Sequence, residues 1–262
     1  MAQAMAELTL NPIGHFYGDR KTKSAIPRQG ILSQQTGFIQ FAKGFDAKSA
    51  MMGLEKMSHV WVIFHFHEVH GKPKVLVHPP RSPDILVGVW ATRSPYRPNS
   101  LGLTLAKIEK IEGLRLYLSK IDLLDQTPIL DIKPYVTESD RPSKPRLGWI
   151  DEIQKWKYGF SKSAKSKYEW LFENGLTELR DVMESQFGTP PLQPKRKRVK
   201  KIGDEYMLAY RTWRFHFRIL TGKTKSLIVN IQSGYSENEL KAHEDPFQDK
   251  DLHRKFKAHF KD

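Results

Sequence analysis

Apolar and polar residues alternate with period two from Leu8 to about Tyr135, which is the repeat of strands with one face buried. The runs LNPIGHF, TGFIQF, SHVWVIFHFH, KVLVHP, ILVGVWAT, LGLTLAKIEKI, GLRLYLSKI and PILDIKPY all share it and are rich in branched and aromatic residues. Glu112-Gly113 predicts a hairpin turn, because glycine supplies the positive φ that a tight turn requires. One helix is expected in this half, over DAKSAMMGLEKM, capped by Asp46 or Ser49. Many strands on short links, with little helix to cover a parallel sheet, predict a mainly β fold built on an antiparallel barrel.

The pattern changes in the second half. From Ser163 to Ser185 the apolar positions Tyr168, Leu171, Phe172, Leu176, Leu179, Val182 and Met183 recur at helical spacing, with Asn174-Gly175 able to split the helix in two. A Pro-rich basic loop, FGTPPLQPKRKRVKKIGDE, follows. Then YMLAYRTWRFHFRIL and TKSLIVNIQS predict a hairpin joined at Thr221-Gly222-Lys223. The expected organisation is a β-barrel over 8–140, a small α+β domain over 163–235 and a charged tail over 236–262 ending in a short helix. The boundary falls where Pro142, Pro145 and several charges interrupt both patterns.

Composition narrows the chemistry. The chain has no cysteine, which removes thiol nucleophiles, zinc ribbons and iron–sulfur clusters from its own repertoire. No apolar run approaches the length of a membrane span and no leader pattern opens the sequence, so a soluble, cytoplasmic protein is expected. Forty-three Lys and Arg against 29 Asp and Glu leave a net charge of +14, which favours a polyanionic partner. No G-x-G-x-x-G or Walker-type loop occurs, which disfavours a nucleotide-binding α/β sheet.

Polar residues cluster where apolar strands are interrupted. In ATRSPYRPNSLGLTL, Pro95 and Pro98 flank Tyr96-Arg97 and stiffen the turn that presents Arg93, Ser94, Arg97 and Asn99. AIPRQG places Arg28 and Gln29 on a loop, HFHE carries His65, His67 and Glu68, and DLLDQTPILDIKPY carries Asp122, Asp125, Asp131 and Lys133. His65 and His67 have the H-x-H spacing of some barrel metal sites, with Glu68 or His78 as further ligands. Glu68, however, falls on the opposite face of an unbroken strand, so hydrogen-bonded structural histidines are expected and no metal.

IPRQG, LEKMSHVWVIFHFHE, VGVWATRSPYRPNSLGLTLAKIE and DLLDQTPILDIKPY resemble, in order, the successive motifs of the TsaA-like family, the tRNA methyltransferases also called TrmO. The helix and YMLAYRTWRFHFRIL resemble the smaller C-terminal domain of its bacterial members. The resemblance implies a β-barrel methyltransferase that uses S-adenosylmethionine to methylate N6 of threonylcarbamoyladenosine beside the anticodon, at position 37 of tRNA, and that forms a homodimer. It implies that the cofactor is held by Arg28, Gln29 and Gly30, by His65 and Phe66, by Arg93, by Leu103, and by Asp122, Leu123, Leu124 and Asp125. Two departures stand out: Gln126 replaces a usual glycine, and FGTPP stands where an aspartate-proline-arginine-proline motif is common.

Methyl transfer from a sulfonium needs alignment and exclusion of water more than covalent help. The N6 proton needs an acceptor, for which Asp122, Asp125 and Asp131 are the candidates, with ribose binding the preferred role for Asp125. Arg28 and Arg93 suit a carboxylate of the cofactor or of the substrate. Arg97, Asn99, Lys133 and Tyr135 are candidate substrate contacts, as are Lys195, Arg196, Lys197, Arg198, Lys200 and Lys201 in the basic loop, which also reads as a nuclear address if the source is eukaryotic. The alternation of cations and aromatics in YRTWRFHFR favours RNA contact by the basic loop and this stretch, while Trp213, Phe215 and Phe217 share one strand face and themselves read as core. Two other functions stay open: an RNA-binding barrel without catalysis, and a metal-dependent barrel hydrolase using His65 and His67.

Overall fold

A computed structural model describes residues 8–21, 30, 33–79, 85–153, 155–192, 199–220, 222 and 224–260. It divides the chain into two compact units, 1–148 and 149–262. Among the described residues no helix is long and apolar enough to cross a membrane.

The first unit contains β1 (Gly14–Gly18), β2 (Thr36–Phe41), α1 (Ala47–Ala50), β3 (His59–His65), β4 (Leu76–Val77), β5 (Val87–Gly88), β6 (Leu101–Glu112), β7 (Arg115–Ser119), β8 (Pro128–Pro134) and α2 (Thr137–Asp140). Six of these strands close a barrel in the order β1-β2-β7-β6-β3-β8, every pairing antiparallel. The alternation read from sequence is what closes it: Phe16, Ile39, Val60, Val62, Leu116, Leu118 and Ile129 point inward and are fully or almost fully buried. The β6–β7 hairpin turns at Gly113, whose φ is 57°. Closure pairs every long strand on both sides, so the barrel keeps a core without covering helices.

Three local expectations change. The helix after Phe45 is one turn, capped as expected by the Asp46 carboxylate accepting from Ser49 N at 3.1 Å; Gly53 then takes φ 92° and a 3-10 turn over Leu54–Lys56 follows. ILVGVWAT is extended only at Val87–Gly88, and Val89–Ala91 forms a 3-10 turn. Arg93 therefore leaves a tight turn rather than a strand end. At Gln126 the backbone is left-handed, with φ 61°, which explains why glycine suits the position. Gln126→Gly relieves that conformation, and we expect it to raise the unfolding free energy of the barrel by about 0.5–1 kcal/mol in a urea titration.

The second unit contains β9 (Lys157–Phe160), α3 (Lys162–Glu173), α4 (Leu179–Phe187), β10 (Val199–Ile202), β11 (Glu205–Tyr210), β12 (Trp213–Ile219), β13 (Lys225–Ser233), α5 (Glu237–Lys241) and α6 (Lys250–Phe260). The sheet order is β10-β11-β12-β13-β9, antiparallel except for β9 against β13. The helical stretch splits at Asn174-Gly175, as its sequence predicts.

Here too the structure corrects the reading. YMLAYRTWRFHFRIL is two strands, because the chain turns at Arg211, with φ 49°. The end of the basic run is β10, not loop. The small unit begins before 163, since β9 belongs to its sheet, and it does not end at 235. In α6, Phe256 is fully buried against Trp213 and Trp170. What charge composition presents as a tail completes a core.

Candidate functional site

β3 and β6 lie side by side with His65 opposite Leu101 and Ile63 opposite Leu103. Leu103 points outward and is 52% exposed; with Trp61, Ile63, Lys133 and Asp140 it lines a groove on the barrel's outer face. The groove is tied at one end by the Trp61 indole N–H donating to Asp140 at 2.8 Å. Where β3 ends, Phe66 N donates to Ser100 O at 2.9 Å, and its ring meets Phe64 edge-on. His65 and Phe66 are thus held against the last residue of the stiff turn.

Within that turn the two arginines differ. Arg97 donates to Thr92 O at 2.9 Å and to Val89 O at 3.3 Å, so its guanidinium braces the turn itself. Arg93 is exposed, and its charge acts on Asp122. Asn99 is exposed on the same turn.

The DLLDQ segment meets the opposite, inward face of β6 through Thr104, the neighbour of Leu103. Thr104 points into the barrel and is buried, and its hydroxyl donates to Asp122 Oδ1 at 2.5 Å. Burial pushes the Asp122 carboxyl above the ordinary aspartate range, against the opposing pull of the Thr104 hydrogen bond and the Arg93 charge. Gly30 packs against the same place. A Cβ there would lie 2.6 Å from Lys120 O and 2.7 Å from Thr104 Oγ1, so no larger residue fits without movement. Buried Gln35 donates from Nε2 to Leu123 O at 3.0 Å, while its own Oε1 has no partner among the described residues. Leu124 O accepts from the Thr127 hydroxyl at 2.8 Å.

The three candidate aspartates separate. Asp125 Oδ1 accepts from Gly18 N at 3.1 Å, fastening the segment to the end of β1. Asp131 lies half exposed on the outer face, opposite Ile63, and pairs with Lys133 at 3.2 Å. Of the three, Asp122 is the one whose carboxylate is desolvated by burial. The structure thus sets His65 and Phe66 at the Ser100 end of the turn and brings Gly30 and Asp122 together at Thr104 of β6, while Leu103 faces outward on β6 and Asp125 is fastened to β1. Arg28 and Gln29 lie outside the described residues.

Of the remaining candidates, Lys133 lines the groove and the Tyr135 ring packs near Trp61 and His59. Lys200 and Lys201 are exposed on β10, and Lys195 to Arg198 lie outside the described residues. Trp213, Phe215 and Phe217 are core residues, at 1%, 0% and 0% exposure, so base stacking on them is ruled out while they stay buried. His67 is held below the usual histidine range by burial. Among the described residues no three His, Asp or Glu side chains come close enough to share a metal, and the hydrolase reading loses its support. Thr104 and Gln35 escaped the sequence reading. The signal for Thr104 was present: LGLTLA places a hydroxyl at an inward position of an alternating strand.

Residues 16–141 match the model of the tRNA-methyltransferase O N-terminal domain. The chain is 45% identical over 159 residues to a Pseudomonas aeruginosa protein named as an S-adenosylmethionine-dependent methyltransferase, RcsF; the match spans 55% of this chain and 66%, just under two thirds, of that relative. It is 37% identical over 182 residues to the tRNA (adenine(37)-N6)-methyltransferase of Eikenella corrodens, spanning 63% of this chain and 92% of the relative. The crystal structure of TrmO from Pseudomonas aeruginosa superposes with a TM-score of 0.58 at 28% identity, covering 88% of this chain and all of that one.

Proposed function

Because the chain belongs to the tRNA-methyltransferase O family, we propose that it is an S-adenosylmethionine-dependent methyltransferase acting on N6 of the adenosine at position 37 of tRNA, with threonylcarbamoyladenosine as the form it modifies. The observation that carries the reading is the buried Asp122 carboxylate held by the Thr104 hydroxyl, where Gly30 packs on β6.

The candidate side chains suit an adenosyl sulfonium zwitterion. Arg93 offers a guanidinium fork for an α-carboxylate, Asp125 and Asp122 offer carboxylates, and Leu103 and Phe66 offer apolar cover. The cofactor supplies an electrophilic methyl group. Arg93, His65, Phe66, Leu103 and the 122–125 segment, with Arg28, Gln29 and Gly30, bind and orient it. Asp122 accepts the N6 proton, a role that its desolvation suits because a carboxylate stripped of water is the stronger base. Lys133 and Tyr135, at the edge of the groove, receive the tRNA loop, and the basic run from Lys195 to Lys201, with Lys200 and Lys201 on β10, holds phosphates. Arg97, already committed to Thr92 and Val89 carbonyls, acts through the turn.

A homodimer accompanies this reading. Val75, Leu76, Leu86 and Trp90, around the two-stranded β4–β5 ribbon, are all more than half exposed, an apolar patch of the kind that partner subunits cover. A dimeric mass in sedimentation checks it. The protein is expected to act in the cytoplasm.

The function is tested by incubating the protein with S-adenosylmethionine and tRNA bearing threonylcarbamoyladenosine, and reading methylation by nucleoside mass spectrometry. Alongside it, calorimetric titration with S-adenosylmethionine is expected to show saturable binding that Arg93→Ala weakens about tenfold, through loss of a charge-assisted contact at an exposed site. Wild-type affinity in that variant would remove Arg93 from the cofactor site.

A further inference from the structure

The barrel carries a second surface that methyl transfer does not use. On the outer faces of β1, β2 and β7 the strand registers align Tyr17 with Phe38 and Phe38 with Tyr117, and β6 continues the row to Lys110. Tyr17 and Phe38 stack with centroids 5.5 Å apart and planes 21° apart; Phe38 and Tyr117 are also 5.5 Å apart, tilted by 43°. Cations lie over these rings. The Arg115 guanidinium is 4.7 Å from the Phe38 centroid and the Lys110 ammonium 4.6 Å from that of Tyr117.

The two cations are not equivalent. Lys110 is matched by Glu112 at 2.7 Å. Arg115 donates to the neutral Gln40 amide at 2.8 Å and makes no ion pair among the described residues. Cross-strand packing accounts for Phe38 lying between two neighbours. Cation–π attraction accounts for Arg115 over the central ring, and Tyr17 is left 38% exposed at the end of the row. Aromatic planes on adjacent barrel strands, rimmed by an available cation, are what unpaired nucleobases stack on. The chain's net charge of +14 suits the accompanying phosphates.

We infer that the Tyr17–Phe38–Tyr117 row, with Arg115, is a binding surface for single-stranded RNA. In the closed barrel order β1-β2-β7-β6-β3-β8 it occupies the arc opposite β3, flanked by β8 on one side and β6 on the other. It rests on the reading of the substrate as tRNA, and it assigns to this arc unpaired nucleotides other than the adenosine that is methylated. Such a surface adds affinity without base sequence preference, because every base has a π-face.

The test is a fluorescence-anisotropy titration of the full chain with a labelled single-stranded RNA oligonucleotide and with a duplex of the same length. Tyr17→Leu with Tyr117→Leu keeps apolar area and removes stacking; we expect single-strand affinity to fall about tenfold or more while duplex affinity and S-adenosylmethionine affinity hold. Tyr17→Phe with Tyr117→Phe should retain single-strand binding, and Arg115→Gln should flatten its dependence on salt by about one phosphate contact. Should the double leucine variant fail to fold, Tyr17→Leu alone, at the most exposed ring, gives the same reading. Unchanged single-strand affinity in the leucine variants overturns the inference, as does a leucine variant that changes the protein's sedimenting mass but not its RNA affinity, since the row would then be a contact between copies. Methylation and cofactor binding by the wild type are read separately, so their failure would strike the proposed function and leave the RNA titration to decide this surface.

Discussion

Asp122→Asn is expected to lower the rate of methyl transfer at saturating S-adenosylmethionine about a hundredfold or more, the usual scale for loss of a positioned proton acceptor, a loss well beyond any change in S-adenosylmethionine affinity. The split between rate and affinity is the informative part. A carboxylate that only held the ribose would lose binding along with rate, whereas one that takes the N6 proton loses rate at saturating cofactor. The pH profile gives an independent reading. Burial raises the Asp122 pKa above 3.8, and the base works only when deprotonated, so activity should fall on an acid limb lying above the ordinary aspartate range. The Thr104 hydrogen bond pulls that pKa down. Thr104→Val should therefore move the limb to higher pH without abolishing activity. Rates for Asp122→Asn within a few-fold of wild type would return the assignment to Asp125 or Asp131.

Phe256→Ala is expected to cost the C-terminal unit about 3–5 kcal/mol, the range for emptying a fully buried aromatic site. Phe256 has no exposed surface and meets Trp213, Trp170 and Phe260 at centroid distances of 5.0, 5.7 and 4.9 Å. One turn before it, fully buried His253 stacks on Trp213 at 3.8 Å and hydrogen-bonds Ser233 and Thr212 at 2.7 and 3.0 Å. The helix is therefore fixed to β12 and β13 by packing and by polar contacts together. Hydrogen exchange read by mass spectrometry resolves where the loss falls: protection should drop in β12, β13 and α3 and persist in the barrel strands. A loss under about 1 kcal/mol would show that α6 is dispensable to its unit.

The barrel was legible because its strands alternate cleanly and its long hairpin carries a glycine at the turn. Where the backbone bends without a glycine or proline, sequence pattern is silent. Arg211 and Gln126 both adopt positive φ, and the first hid the break between β11 and β12. Lys200 and Lys201 hid β10 for a different reason, since a charge run has no apolar alternation to read. In the site, the residue types and their segments were visible, but the ranking of three aspartates was not. Which carboxylate is buried depends on β6 bringing Thr104 to the end of β7, a contact made only at the open end of the long β6–β7 hairpin, where pattern does not say which side chain meets which. The closing helix was legible over Asp249 to Phe260 and stands at Lys250–Phe260; its burial was missed although Leu252, Phe256 and Phe260 recur every four residues, because net charge dominated the composition there.

β10 is the outer strand of a five-stranded sheet, unlike any of the six strands in the closed barrel. An outer strand presents unsatisfied backbone donors and acceptors, and another chain can add to it. The sequence of β10, VKKI, sets adjacent lysines on opposite faces, so a second sheet approaching from either side meets positive charge. Lysines on an edge strand disfavour such addition, quite apart from any grip on nucleic acid. Stripping them of charge would trade solubility as well as affinity, and a preparation that precipitates would be reporting on the first.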